Sequence, residues 1–178
     1  MNYFVTGATG FLGQYMLREL LKYGHNIKAN YRGNKEIIKN NEGINWIKRD
    51  ILEIEQKDLK ETDILINLAS AGVSPKKTTL EEAININILS PSRLLKIGNI
   101  AGVKRFVYTG TCHEYGQTAN IFEKIPPNAA LNPLSFYGST KASGFHIINN
   151  LSIELKLELV YARIFSAYGL GQNKYNFW

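Results

Sequence analysis

The sequence predicts an α/β fold, a doubly wound, mostly parallel sheet with helices on both faces. Short apolar runs of β-type residues alternate with stretches of helical periodicity along most of the chain. The first run leads directly into three glycines at spacing three and three and then an amphipathic stretch. The run Ile64, Leu65, Ile66 is apolar without interruption, as a strand buried on both faces requires. A length of 178 residues suits one such domain, or one and a truncated neighbour.

We read seven turns of the cycle. Residues 2–6 make the first strand. A helix follows near 12–23, with Leu12, Met16, Leu17, Leu20 and Leu21 on its apolar face and Gly24 as its cap. Strands are expected at 27–31, 44–48 and 63–69. A long helical region from about 80 to 100 contains Pro91, which removes a backbone donor and crowds the preceding turn, so a local distortion is expected there. A strand at 105–109 precedes a loop over 116–133 with Pro126, Pro127 and Pro133, too long for a plain connector and read as a functional or covering segment. A helix near 137–155 and a strand at 158–164 close the pattern; 166–178 complete no unit.

Composition narrows the function classes. The chain is 44% hydrophobic and 20% charged, which is the balance of a folded globular protein. Every apolar stretch is broken well before the ~20 residues a membrane span needs, and the N-terminus has no basic leader, so a cytoplasmic protein is expected. The single Cys112 allows no internal disulfide and no multi-thiol metal site. The net charge of +6 comes from scattered residues such as Lys35, Lys39, Lys76, Lys77, Lys104 and Arg105 without aromatic interleaving, and no nucleic-acid partner is expected. Cys112, His113 and Glu114 are adjacent along an extended segment and cannot all converge on one ion, so no metal is expected.

Two clusters carry chemistry. In Gly7-Ala8-Thr9-Gly10-Phe11-Leu12-Gly13, Gly7 allows the tight turn, Gly10 lets backbone approach a pyrophosphate and Gly13 lets the helix lie close to the sheet. The helix N-terminus offers free N–H groups and partial positive charge, so a dinucleotide is the natural ligand of this Rossmann-like turn. At the end of the second strand no acid is present to take ribose hydroxyls. Arg32 stands there instead, and the reading leans to NADP over NAD. Asp50 either accepts from the adenine amino group or caps the turn after it. The second cluster is Tyr137 and Lys141, four apart at a helix start and therefore on one face. An ammonium close to a phenol favours phenolate and brings a poor base toward a working pKa.

Taken in order, these residues resemble the extended short-chain dehydrogenase/reductase family, in its branch of nucleotide-sugar epimerases, dehydratases and 4-keto-reductases. The likeness rests on residues 5–13; on Asn67, Leu68, Ala69 and Ser70; on Asn87; on 101–109; on Thr111 with Tyr115 and Gly116; on Pro133, Tyr137 and Lys141; and on Arg163, Ile164 and Phe165 before Tyr168 and Gly169. The resemblance implies that Tyr137 exchanges a proton with a sugar oxygen, that Thr111 bonds the same oxygen, and that Lys141 tunes Tyr137 and holds the nicotinamide ribose. It implies that Asn87 positions Lys141, directly or through a water. Gly7, Gly10, Phe11, Leu12, Gly13, Arg32, Asp50, Ile51, Leu68 and Ala69 join Tyr137 and Lys141 as implied cofactor contacts. It also implies a homodimer through the two long helices. For Thr111 a bond to its own loop backbone is the competing reading, and for Asn87 a purely structural role.

Departures from the family sharpen the expectation. The family's dehydratases have an Asp-Glu pair directly after the catalytic Ser or Thr, whereas Cys112 and His113 stand here, which disfavours dehydration and leaves His113 to face the sugar. Epimerisation and net reduction of a 4-keto sugar remain, with Arg32 tipping the balance toward reduction. Ser166 stands where the family has an asparagine that touches substrate. On this reading 1–165 is the NAD(P)-binding domain and 166–178 the start of a truncated substrate-binding lobe. Two alternatives stay open: a catalytically silent dinucleotide-binding module, and a reductase of a non-sugar carbonyl compound.

Overall fold

A computed structural model describes residues 1–33, 42–73 and 77–172. Lys35, Lys39, Lys76 and residues 173–178 lie outside the described residues. The six strands are β1 (Asn2–Thr6), β2 (Asn26–Tyr31), β3 (Ile44–Lys48), β4 (Ile64–Asn67), β5 (Arg105–Thr111) and β6 (Glu158–Ile164). They form one sheet in the order β3-β2-β1-β4-β5-β6, and every pair is parallel. They correspond to the six strands expected from the sequence, and residues 165–172 follow as irregular chain, so the seven turns of the cycle reduce to six strands among the described residues. The order reverses between β1 and β4, where the connections leave to opposite sides and open a crevice at the strands' carboxyl ends.

Alternation along the strands builds two cores. Phe4, Leu65, Phe106 and Tyr108 face one side, against Leu94, Leu95 and Ile148. Val5, Ile27, Ala29, Ile64 and Ile66 face the other, against Leu17 and Leu20 of helix α1 (Phe11–Lys22). Helix α1 ends as its sequence requires: Gly24 takes φ +70° and donates to the Leu21 carbonyl at 2.9 Å, a conformation that costs other residues a Cβ clash.

Three elements differ from expectation, each for a tertiary reason. β4 is shorter than 63–69, since Leu68 and Ala69 turn out of the sheet to meet the glycine loop, and the Asp63 carboxylate accepts the Asn2 N–H at 3.0 Å. β5 is longer, because pairing with β6 continues to Thr111 opposite Ile164. The region expected as one helix is α2 (Leu80–Ile84), a π-helical turn (Asn85–Leu89) and α3 (Ser90–Ala101). Pro91 sits in the first turn of α3, where its missing donor is least costly, and the widened turn before it contains Asn87. The segment 116–133 is tied by the Gln117 N–H to the Asn132 carbonyl at 2.9 Å and contains a short 3-10 turn, Gln117–Ile121. The last helix, α4 (Phe136–Glu154), is capped by Ser135, whose Oγ accepts the Gly138 N–H at 3.0 Å.

Candidate active site

The glycine loop and the start of α1 form one wall of the crevice. Gly7 has φ +69°, and a Cβ there would lie 2.6 Å from the Ala69 nitrogen, so only glycine lets the turn pass under the end of β4. A Cβ on Gly13 would lie 2.3 Å from the Gly7 carbonyl oxygen, which is why α1 can pack down on its own loop. Gly10 caps α1 without a side chain, and the first turn carries no acid, so the helix dipole is left uncompensated toward the crevice. The floor is braced where Thr6 Oγ1 donates to Asn67 Oδ1 at 2.6 Å.

An open cleft of about 200 Å³ runs from this loop, past the end of β2, to the segment after β4. Gly7, Gly10, Arg32, Ile51, Leu68 and Ala69 line it, so six expected cofactor contacts converge there. Phe11, Leu12, Gly13, Asp50, Tyr137 and Lys141 do not line it. Phe11 packs edge-on against Tyr15 at 5.4 Å, and Gly13 is buried beneath the loop. Asp50 is a cap: its Oδ1 accepts the Leu52 N–H at 3.0 Å, and its Oδ2 lies 3.7 Å from Arg32 Nη1. Asn30, absent from the expected set, also lines the cleft, its Nδ2 donating to the Arg49 carbonyl at 3.2 Å. The glycine contacts and the uncapped helix start fit the diphosphate of a dinucleotide, and the cleft fits its adenosine side.

Tyr137 and Lys141 lie in the first turns of α4. Ser70 brings the segment after β4 to Tyr137, Oγ to Oη at 3.5 Å, and the His113 ring meets the Tyr137 ring edge-on at 6.0 Å. Burial pushes the Tyr137 phenol above its usual value, hydrogen bonds with Ser70 and Thr111 oppose this, and the Glu114 carboxylate adds to it. Lys141 is buried, and its Nζ donates to the Thr109 carbonyl at 2.6 Å. Burial brings its pKa down from 10.5 to about 8, with Glu114 opposing. The expected lowering of Tyr137 by Lys141 is not among the main influences on the phenol, since the ammonium is directed to Thr109.

Thr111 is buried, and its Oγ1 accepts the His113 N–H at 3.3 Å, so it satisfies its own turn, and its hydroxyl acts to lower the Tyr137 pKa. Asn87 is more committed than a lysine-positioning role predicts. Its Oδ1 accepts the Ala71 N–H at 3.0 Å and the Ser70 hydroxyl at 3.3 Å, and its Nδ2 donates to the Ala71 carbonyl and to Thr140 Oγ1, both at 3.0 Å. It joins the segment after β4 to α4 through Thr140, the neighbour of Lys141, rather than touching Lys141. Glu114, which is buried, forms a further cluster with the partly buried Tyr161 and Arg163 beneath Thr111, which sequence reasoning missed as a site. The available signal was an acid two residues before a glycine and an arginine within a strand, separated by 49 positions.

Among the described residues no helix is long and apolar enough to cross a membrane, and no cluster of three or more His, Cys, Asp or Glu could hold a metal ion. The sequence model of the NAD dependent epimerase/dehydratase family matches residues 3–177. An uncharacterized UDP-glucose epimerase of Bacillus subtilis is 29% identical over 95% of this chain and 57% of its own. A UDP-glucose 4-epimerase of Mycolicibacterium smegmatis is 25% identical over 84% of this chain and 50% of its own. Among solved structures, UDP-glucuronic acid 4-epimerase from Bacillus cereus in complex with NAD superposes with a TM-score of 0.79 at 26% identity, covering 95% of this chain and 58% of that one. The chain thus spans between half and three fifths of the length of these relatives. The parallel sheet, the glycine turn at its switch point and the match over nearly the whole sequence together make this chain a member of the NAD-dependent epimerase/dehydratase family.

Proposed function

We propose that the chain carries the cofactor-binding and proton-transfer half of an NAD-dependent nucleotide-sugar epimerase, with a 4-keto-reductase as the related alternative. The observation that carries this reading is Ser70, which lines the same cleft as the glycine turn and brings its Oγ within 3.5 Å of Tyr137 Oη. Gly7, Gly10 and the start of α1 hold the diphosphate, and Leu68 and Ala69 flank it. When bound, the nicotinamide ring supplies the acceptor and donor of a hydride. Tyr137 Oη exchanges a proton with the sugar oxygen, its phenol giving one as a keto group is reduced and its phenolate taking one as a hydroxyl is oxidised, with Thr111 bonding the same oxygen. Lys141, with a pKa of about 8, is mostly cationic at pH 7 and supplies positive charge beside the reacting groups.

Arg32 sits at the cleft where a 2′-phosphate would be read, yet it lies 3.7 Å from Asp50, which takes up part of its charge. That pairing, and the NAD of the Bacillus cereus enzyme, favour NAD over the NADP to which Arg32 alone pointed. Exposed Leu89, Ile100, Ile147 and Ile153 support a homodimer through the long helices, which sedimentation would test. Because the chain spans only 57% of the Bacillus subtilis relative, a second reading is a dinucleotide-binding module that lacks turnover. Titration of the chain with NADH and NADPH for binding, and addition of UDP-glucose to the chain loaded with NAD+ for turnover, separate these. Binding with interconversion of the sugar supports the enzyme, binding without it supports the module, and no binding of either dinucleotide defeats both.

A further inference from the structure

Glu114 is the one carboxylate among the described residues that is fully buried. Its Oε1 accepts the Thr111 N–H and the Tyr161 hydroxyl, both at 2.8 Å, and its Oε2 accepts Arg163 Nε–H at 2.7 Å. Arg163 is enclosed in turn. Its guanidinium carbon lies 4.2 Å from the centroid of Phe145 and 5.0 Å from that of Tyr115, and its Nη1 reaches the Pro127 carbonyl at 3.3 Å. Gly110 is fitted to the carboxylate, since a Cβ there would lie 2.6 Å from Oε1. A buried ion pair of this kind adds little net stability over a well-packed apolar pair, so stability alone does not account for it. What sets it apart is its place, directly behind Thr111 and between β6 and the face of α4 that carries Tyr137 and Lys141.

We propose that Glu114 is a positioning residue of the active site, a statement that rests on the function proposed above: held by Arg163, it fixes the backbone at Thr111 and places a negative charge behind Tyr137 and Lys141. The ionisable groups around it are Tyr161 and Arg163 from β6, Cys112, His113 and Tyr115 from its own turn, and Tyr137 and Lys141 from α4. Arg163 is permanently charged and keeps the carboxylate ionised in place. A negative charge favours the protonated forms of both working groups. At Lys141 it opposes the effect of burial, keeping the ammonium charged, and at Tyr137 it adds to burial, keeping the phenol protonated.

The test is a side-chain NMR titration of the full chain, with ¹³C-labelled lysine and tyrosine, between about pH 6 and 11. Glu114→Gln keeps shape and most hydrogen bonding while removing the charge. The expected result is a fall in the Lys141 midpoint by about one pH unit, with a fall at Tyr137 as well. A loosened fold would act oppositely on Lys141, raising its midpoint toward that of a solvated lysine, so the direction at Lys141 separates positioning from bare structure. A Lys141 midpoint that stays or rises overturns the proposal. If Glu114→Gln does not fold, the double variant Glu114→Gln with Arg163→Gln replaces the ion pair by a neutral one and is judged by a fall of the Lys141 midpoint in the same direction, smaller because a positive charge is removed as well. Failure of both variants to fold would make Glu114 structural and overturn the proposal too. The titration contains neither dinucleotide nor sugar, so its failure is distinct from a failure to bind or turn over substrate.

Discussion

Lys141→Met isolates what it costs this domain to bury a positive charge. Lys141 is 7% exposed, and burial takes its pKa from 10.5 to about 8. Each pH unit of difference between folded and unfolded states corresponds to about 1.4 kcal/mol, which puts the cost at about 3 kcal/mol. Its sign follows from proton counting. Between about pH 8 and 10.5 the unfolded chain binds this proton and the folded chain does not, so stability rises with pH across that window. Below it the lysine is charged in both states and the whole cost is present; above it the lysine is neutral in both and the cost is gone. Methionine has similar bulk and no charge. Urea unfolding of both proteins at a series of pH values should show the wild type gaining up to about 3 kcal/mol on the variant from pH 7 to 10.5, with no change between pH 6 and 7. A difference that is independent of pH, or that widens in the variant's favour as pH rises, would refute the reasoning.

Other substitutions probe other links. Gly13→Ala should raise helix propensity by about 1 kcal/mol in an isolated peptide, yet here its methyl meets the Gly7 carbonyl at 2.3 Å. We expect net destabilisation of about 1–3 kcal/mol in urea, together with weaker NADH binding; a stabilised protein would contradict the close packing. Asn87→Ala leaves the Ala71 backbone and Thr140 without their partner and should cost about 2–4 kcal/mol, read as a lowered unfolding midpoint at unchanged denaturant slope. Tyr137→Phe should keep NADH affinity within about twofold by fluorescence titration, while any sugar interconversion falls by about 10²–10⁴. Retained interconversion would remove Tyr137 from the chemistry.

The elements were readable because their signals are local. A period of two records a sheet face, a period near 3.6 records a helix face, and a glycine with φ +70° after Leu21 and Lys22 ends α1 in the place its sequence marks. The same holds for the glycine turn and for Tyr137 and Lys141, whose spacing of four sets them on one face of α4 whatever surrounds them. Asp50 shows where this stops. An acid after a strand suits a ligand or a cap equally, and only the position of the Leu52 N–H at 3.0 Å shows that Asp50 serves as a cap. Asn87 is similar: its place in a long apolar helix was visible, but its four partners come from two other segments.

Sequence by itself therefore determined the fold class, the parallel alternation, the glycine turn and the identity of the residues at the start of α4. Tertiary structure alone decided the strand order, the π-helical turn around Asn87, the commitment of Lys141 to Thr109 and the Glu114–Arg163 pair. The reason is physical. Backbone periodicity reports only whether a side chain is buried, whereas the charge it feels and the hydrogen bonds it makes depend on which distant segment the sheet brings alongside it.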